Sequence, residues 1–351
     1  ITMLITINFG IQLLVDLLSA GFVDRIGYRV SVVLAHVFAA AGLVGLVLLP
    51  EIMPNAFAGL LVAVFIYALG GGLIEVLISP IVESCPTDNK EKAMSLLHSF
   101  YCWGHVGVVL LSTVFFGIFG IANWKILACI WALIPVINAF VFAKAPIAPL
   151  IEEGESGMTM LDLCKSKVFW VMMLMMLCAG ASEQAVSQWA STFAEKGLGV
   201  TKTIGDLAGP MTFAILMGSS RAFYGKFGHK IDLDRFMLGS SVLCIFSYLL
   251  IAASPVPFLS LVGCGICGLS VGIMWPGTFS KASVALKNGG TAMFALLALA
   301  GDLGCSGGPT LVGFVSSAAA DNLKAGILVA IIFPVVMAVE IILQRRSCWH
   351  S

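Results

Sequence analysis

Residues 20–29 read AGFVDRIGYR and divide two long apolar runs. Residues 2–22 before it and 30–49 after it hold a single formal charge between them, Asp16, whereas Asp24, Arg25 and Arg29 crowd around Gly27 at the junction. An apolar run of roughly 20 residues is what an α-helix needs to cross a bilayer. Two such runs joined by so short a polar turn predict a helical hairpin that passes through the membrane and returns.

The pattern continues along the chain. Of its 351 residues, 59% are hydrophobic and 11% charged, and the mean hydropathy of +1.02 is well above what a water-facing surface tolerates. Further spans are predicted over 57–80, 96–120, 124–143, 167–193, 203–222, 235–253, 257–279, 291–316 and 324–344. Open sheet edges are excluded from lipid, so the fold class is all-α, a polytopic membrane protein of eleven helices. The longest polar interruption, KAPIAPLIEEGESGMTMLDLCKSK from Lys144 to Lys167, reads as a solvated linker. It sets an N-terminal bundle (1–143) apart from a C-terminal bundle with a short tail (167–351), the linker itself being 144–166.

Charge placement predicts orientation. Alternate junctions hold fifteen Lys and Arg on one side (Arg25 to Arg346) against four on the other, Lys125, Lys196, Lys202 and Lys324. Basic loops stay in the cytoplasm, so the linker and the C-terminus are expected there, in a cell membrane. Arg221, at the end of the span 203–222, is counted with the cytoplasmic cations. The chain opens on Ile1 inside an apolar run without a signal peptide, so a segment upstream is expected.

Other classes are excluded by what the sequence lacks. No nucleotide-binding loop, nucleophile triad or metal-ligand spacing occurs, so no enzyme, cofactor, metal or nucleic-acid partner is expected. Cys264 and Cys267 form a CxxC inside an apolar helix and read as packing residues. The chain is expected to be monomeric.

The halves resemble each other at an offset of about 200 residues. AGFVDRIGYR matches RAFYGKFGHK (Arg221 to Lys230), and GGGLIEVLISP (Gly70 to Pro80) matches SVGIMWPGTFS (Ser270 to Ser280), setting Glu75 opposite Trp275. A helix ending in Ala/Gly-xxx-Asp-Arg-x-Gly-x-Arg resembles the loop signature of the major facilitator superfamily. The resemblance implies two pseudo-symmetric bundles, a site near mid-membrane, and a gating role for Asp24, Arg25, Gly27 and Arg29. That superfamily has twelve helices, so the chain corresponds to helices 2 to 12 and is expected to lack helix 1.

A charge at the centre of a membrane helix costs about 2.5–3.5 kcal/mol, so each one there calls for a reason. Glu75, followed by Ser79 and Pro80 and then by MSLLHSFYCWG (Met94 to Gly104), resembles the fucose permease branch of sugar–proton symporters. The resemblance implies that Glu75 takes part in proton coupling. Independently, burial disfavours a carboxylate's charged form and suits it to holding a proton; the plain alternative is a structural hydrogen bond between helices. His98, Tyr101 and His105 fall on one helix face at i, i+3 and i+7. His98 stands where the branch contacts sugar and has two readings, ligand contact and lateral packing. Tyr101 belongs with the ligand face, and His105 reads as packing.

GASEQAVSQW (Gly180 to Trp189) sets Glu183, Gln184, Gln188 and Trp189 on a polar stripe suited to a polyhydroxylated ligand, the plain alternative being an interfacial Trp belt with polar groups near headgroup depth. Trp275, beside Pro276 and Gly277, is either a ligand-stacking ring or part of a packing kink at a helix interruption. Asp302 sits about 16 Å into its helix at 1.5 Å per residue, and Asp16 reaches a similar depth; the two are expected to share a proton. Glu340, near a helix end, is given no role. The function expected is proton-coupled transport of a small polar solute such as a monosaccharide, with sodium as the alternative coupling ion. An exporter of amphipathic compounds and a non-transporting sensor or scaffold are the competing readings.

Overall fold

In the computed structural model, which describes residues 2–150 and 157–347, all regular structure among the described residues is helical. Residues 151–156 of the predicted linker and the C-terminal 348–351 lie outside the described residues. Ten helical spans are long and apolar enough to cross a membrane. The eleventh predicted span falls in a helix of 26 residues, Lys202–Phe227, which Lys202, Asp206, Arg221 and Lys226 make more polar than the rest.

The N-terminal half contains α1 (Thr2–Ile26), α2 (Tyr28–Ile52), α3 (Ala56–Ser84), α4 (Lys90–Phe119) and α5 (Trp124–Lys144). A six-residue α6 (Met160–Lys165) follows within the linker. Thr159 caps it: the Thr159 hydroxyl donates to the Asp162 carboxylate at 2.6 Å and accepts from the Asp162 amide at 3.2 Å. The Thr159 hydroxyl and backbone amide, both donating to it, hold the Asp162 carboxyl below its usual range. Then come α7 (Lys167–Ser187), α8 (Ala190–Leu198), α9 (Lys202–Phe227), α10 (Leu233–Ala253), α11 (Pro257–Val271), α12 (Met274–Ala285), α13 (Gly290–Ala318), α14 (Leu323–Ala330) and α15 (Ile332–Ser347).

Three predicted spans are each two helices end to end, broken at Gln188–Trp189, Gly272–Ile273 and Ile331. The span predicted to stop at Pro80 instead continues to Ser84. Proline removes one backbone donor but does not end a membrane helix whose neighbours cover the freed carbonyl. Pro276 does not itself break its helix either. The break lies just before it, which puts Pro276 in the first turn of α12, where amides have no intrahelical partner to lose.

Two compact units divide the chain, and each is built on helix contacts of its own. The first comprises Ile1–Pro86, Leu110–Lys165 and Lys287–Leu299. Its core gathers Ile11, Val15 and Val23 of α1, Val32 and Ala35 of α2, and Ala68, Leu73 and Leu77 of α3. The glycine run of GGGLIEVLISP lets α3 approach its neighbours closely. A Cβ on Gly70 would fall 2.5 Å from the Ala39 nitrogen and 2.6 Å from the Ala35 carbonyl oxygen of α2. The second unit comprises Thr87–Val109, Ser166–Leu286 and Ala300–Ser351. There α7 and α13 meet through small residues, with Gly308 so close to Ala181 that a Cβ would lie 2.6 Å from its carbonyl oxygen.

Candidate functional site

In the first unit the turn of AGFVDRIGYR is set by Gly27, whose φ of +85° lies in the region that favours glycine. It starts α2 directly after α1. The Thr291 hydroxyl of α13 donates to the Asp24 carboxylate and accepts from the Tyr28 hydroxyl. Arg29 Nη1 donates to the Ala143 carbonyl at the end of α5, at 2.7 Å, and Arg25 is exposed. Asp24, Gly27 and Arg29 thus serve a polar junction among helix ends, with Arg25 exposed beside it. Glu75 is half-buried on α3, and Asp16 is fully buried on α1. Asp302 is half-buried on α13 within the second unit.

The second unit holds a buried polar cluster, and its centre is a residue the sequence placed elsewhere. Arg221, counted there as a loop cation, is 3% exposed inside α9. Its Nη2 donates to Glu183 Oε2 of α7 at 3.2 Å, and its Nε to the Gly272 carbonyl at 2.8 Å. Nη1 donates to the His98 carbonyl at 3.1 Å and to the Cys102 sulfur at 3.3 Å, both on α4. The Ser95 hydroxyl in turn donates to the Arg221 carbonyl at 2.8 Å. The misplacement follows from reading a basic residue near a helix end as solvated. A signal was present, since Arg221 already fell inside the predicted span, with Gly218, Ser219 and Ser220 before it making room for close neighbours.

Of the predicted ligand residues, Glu183 and Gln184 come together, the Gln184 amide donating to Glu183 Oε1 at 3.4 Å. His98 joins them through its carbonyl on Arg221, and its ring stacks on Phe279 at 5.8 Å between centroids and 21° between planes. Trp275 meets the same Phe279 edge-on, at 6.2 Å and 72°. Phe279 thus contacts both rings, although nothing in the sequence singled it out. Gly301 of α13 seats the Trp275 ring and leaves no room for a Cβ there.

The structure does not gather every predicted residue into this cluster. Tyr101, at 63% exposure, lies on the open side of α4. The stripe on α7 is cut short: the helix ends at Ser187, so Gln188 caps it and is exposed, and Trp189 opens α8. The Trp189 indole nitrogen is buried and has no hydrogen-bond partner among the described residues. Together the cluster offers an ion pair, an amide and a face of three rings. That combination can bind a ligand through directional hydrogen bonds on one side and ring contact on the other.

Comparison with known proteins bears on the whole chain. A family model described as Major Facilitator Superfamily matches residues 1–309. A search of curated proteins finds no sequence match. Among solved structures, the chain is similar to a variant of the E. coli fucose:proton symporter FucP at 15% identity and a TM-score of 0.81, covering 96% of this chain and 89% of that one. It is also similar to the human organic anion transporter MFSD10 (13% identity, TM-score 0.76, 95% and 82% covered). The proton:xylose symporter XylE bound to 6-bromo-6-deoxy-D-glucose is a further likeness (12% identity, TM-score 0.73, 96% and 84% covered). At these identities the likeness is one of fold.

Proposed function

This chain belongs to the major facilitator superfamily, whose members are membrane-embedded secondary transporters and not enzymes, and on that premise we propose that it carries a small polar solute of the monosaccharide kind together with protons. The observation that supports this reading is the pairing of Glu183, Gln184 and Arg221 with the rings of His98, Phe279 and Trp275. A sugar needs many directional hydrogen bonds on its rim and one apolar face against its C–H surface, and these groups supply both. Two of the fold neighbours are named as sugar symporters driven by protons.

In this proposal Tyr101, Gln188 and Trp189 border the ligand, and Glu75 takes up and releases the coupled proton. Asp16 and Asp302 are the further acids that handle protons. Asp24, Arg25, Gly27 and Arg29 act at the gate, and residues 1–143 and 167–351 rock about the site on the linker 144–166. The linker and the C-terminus face the cytoplasm, and the transporter works as a monomer.

The test is flux. Purified protein in proteoliposomes is given single monosaccharides while external pH is recorded. Sugar entry that alkalinises the medium supports the proposal; extrusion of amphipathic dyes against a proton gradient, or absence of any flux, would overturn it.

A further inference from the structure

Arg221 does more than neutralise Glu183. The Gly272 carbonyl precedes Pro276 by four residues, and proline has no N–H with which to satisfy it along the helix. At the α11–α12 break Arg221 Nε donates to this carbonyl, at 2.8 Å. It also brings a cation to the C-terminal end of α11, where the helix dipole favours one. On its other edge the guanidinium holds the His98 carbonyl of α4. The side chain thus touches an acid at one nitrogen and, at the others, the backbone that carries Trp275 and the backbone that carries His98.

We propose that Arg221 is a positioning residue that transmits the protonation state of Glu183 to the aromatic wall and to the packing of α4 on α9. With Glu183 ionised, the guanidinium is held across α4, α7 and the α11–α12 break. Protonating Glu183 removes its counter-ion. Arginine does not shed its own proton, and a buried unpaired cation is costly, so the guanidinium draws in water and its grip on α4 loosens. Nothing in this sequence involves a bond other than O–H: the carboxylate gains a proton and loses an ionic hydrogen bond.

The groups around Glu183 are consistent with a two-member switch. Arg221 faces it from α9, Gln184 from its own helix, and Cys102 from α4, where the titratable His98 imidazole also lies in the field of Arg221. Tyr248 of α10 and Cys267 of α11 meet the Ser182 carbonyl one residue back. On α12 the neighbours Trp275 and Phe279 carry no charge. On α13, Asp302 follows Gly301, whose carbonyl packs on Gly180. Glu340 of α15 acts on Cys178, more than a turn away along α7, and Lys324 of α14 is engaged by the Ser254 carbonyl.

Cys102 reports on the switch, because it is fully buried and its sulfur accepts from Arg221. This inference deepens the proton-coupled reading above, but its readout is a labelling rate and not a flux, so each can fail alone. In the full chain with Cys102 as the single cysteine, alkylation by N-ethylmaleimide is timed at fixed pH. Glu183→Gln, fixed in the neutral form, is expected to label about tenfold faster than the parent, as a local opening equilibrium shifted by loss of the ion pair would give. Glu183→Asp, which keeps the charge, stays slow. Unchanged labelling in Glu183→Gln overturns the proposal. A second measurement does not depend on that variant folding: the parent's Cys102 rate is divided by the rate of exposed Cys85 in a matching single-cysteine protein, which cancels the common loss of thiolate in acid. The ratio is expected to rise on acidification, and a flat ratio overturns the proposal.

Discussion

Arg221 Nη2 and Glu183 Oε2 lie 3.2 Å apart with side chains only 4% and 10% exposed, so each is the other's compensation for leaving water. Such pairs are asymmetric in their energetics. Removing one member leaves a buried charge, while replacing both with apolar or neutral groups of like volume is often nearly neutral. Arg221→Met is therefore expected to destabilise the protein by about 3 kcal/mol, and Arg221→Met with Glu183→Gln by clearly less. Thermal unfolding of the four proteins in detergent checks this, and strict additivity would show that the two side chains act independently.

A second expectation concerns the glycine run on α3. Gly70 has the backbone of Ala35 and Ala39 against the place where a Cβ would stand. Backbone cannot rotate away as a side chain can, so Gly70→Ala must push α3 from α2. The expected cost is about 1–3 kcal/mol, the usual range for overpacking. Gly104→Ala on α4, where a Cβ would meet nothing within 4 Å, is the matched control. Equal midpoints for both variants would count against close helix contact at Gly70.

The contrast between these two sites also explains what could be read before the structure was known. Hairpins such as α1–α2 are legible because span length and the charged turn are local properties, and Gly27 marks the turn by the backbone angle it allows. The Gly272–Ile273 break falls just ahead of the interruption that Pro276 and Gly277 suggest, and the Gln188–Trp189 break was masked because the polar residues around it, Glu183, Gln184, Ser187 and Ser191, read equally well as one stripe on a continuous helix. Arg221 was hidden for a deeper reason. Its burial is made tolerable by partners 38 and 123 residues away in sequence, and no local pattern carries that information. Glu183 and Trp275 stood out as costly or kink-associated residues, whereas Phe279, an ordinary apolar residue in an apolar helix, acquires its place only from the rings it meets.

The signature loop yields a third expectation. Thr291 is buried and bonded to both Asp24 and Tyr28, so Thr291→Val leaves a carboxylate and a phenol without their shared partner. Losing a bond to a charged group costs about 1.5–3 kcal/mol, and a lowered thermal midpoint of that order is expected. Thr291→Ser keeps the hydroxyl and should hold most of the stability. If valine and serine behave alike, the hydroxyl bridge contributes nothing.

The last expectation separates the carboxylates. With one proton carried per solute, an inward gradient of about one pH unit sustains about tenfold accumulation, since each unit is worth about 1.4 kcal/mol. Glu75→Gln cannot exchange a proton, so it is expected to abolish accumulation while leaving downhill exchange of solute across proteoliposomes measurable. Loss of exchange as well would make Glu75 a structural group and remove it from the coupling step. Asp302→Asn and Asp16→Asn, each removing a titratable group, are each expected to shift the pH dependence of uptake. A pH profile left untouched by Asp302→Asn would remove Asp302 from proton handling and leave it to Glu75 and the Glu183–Arg221 pair.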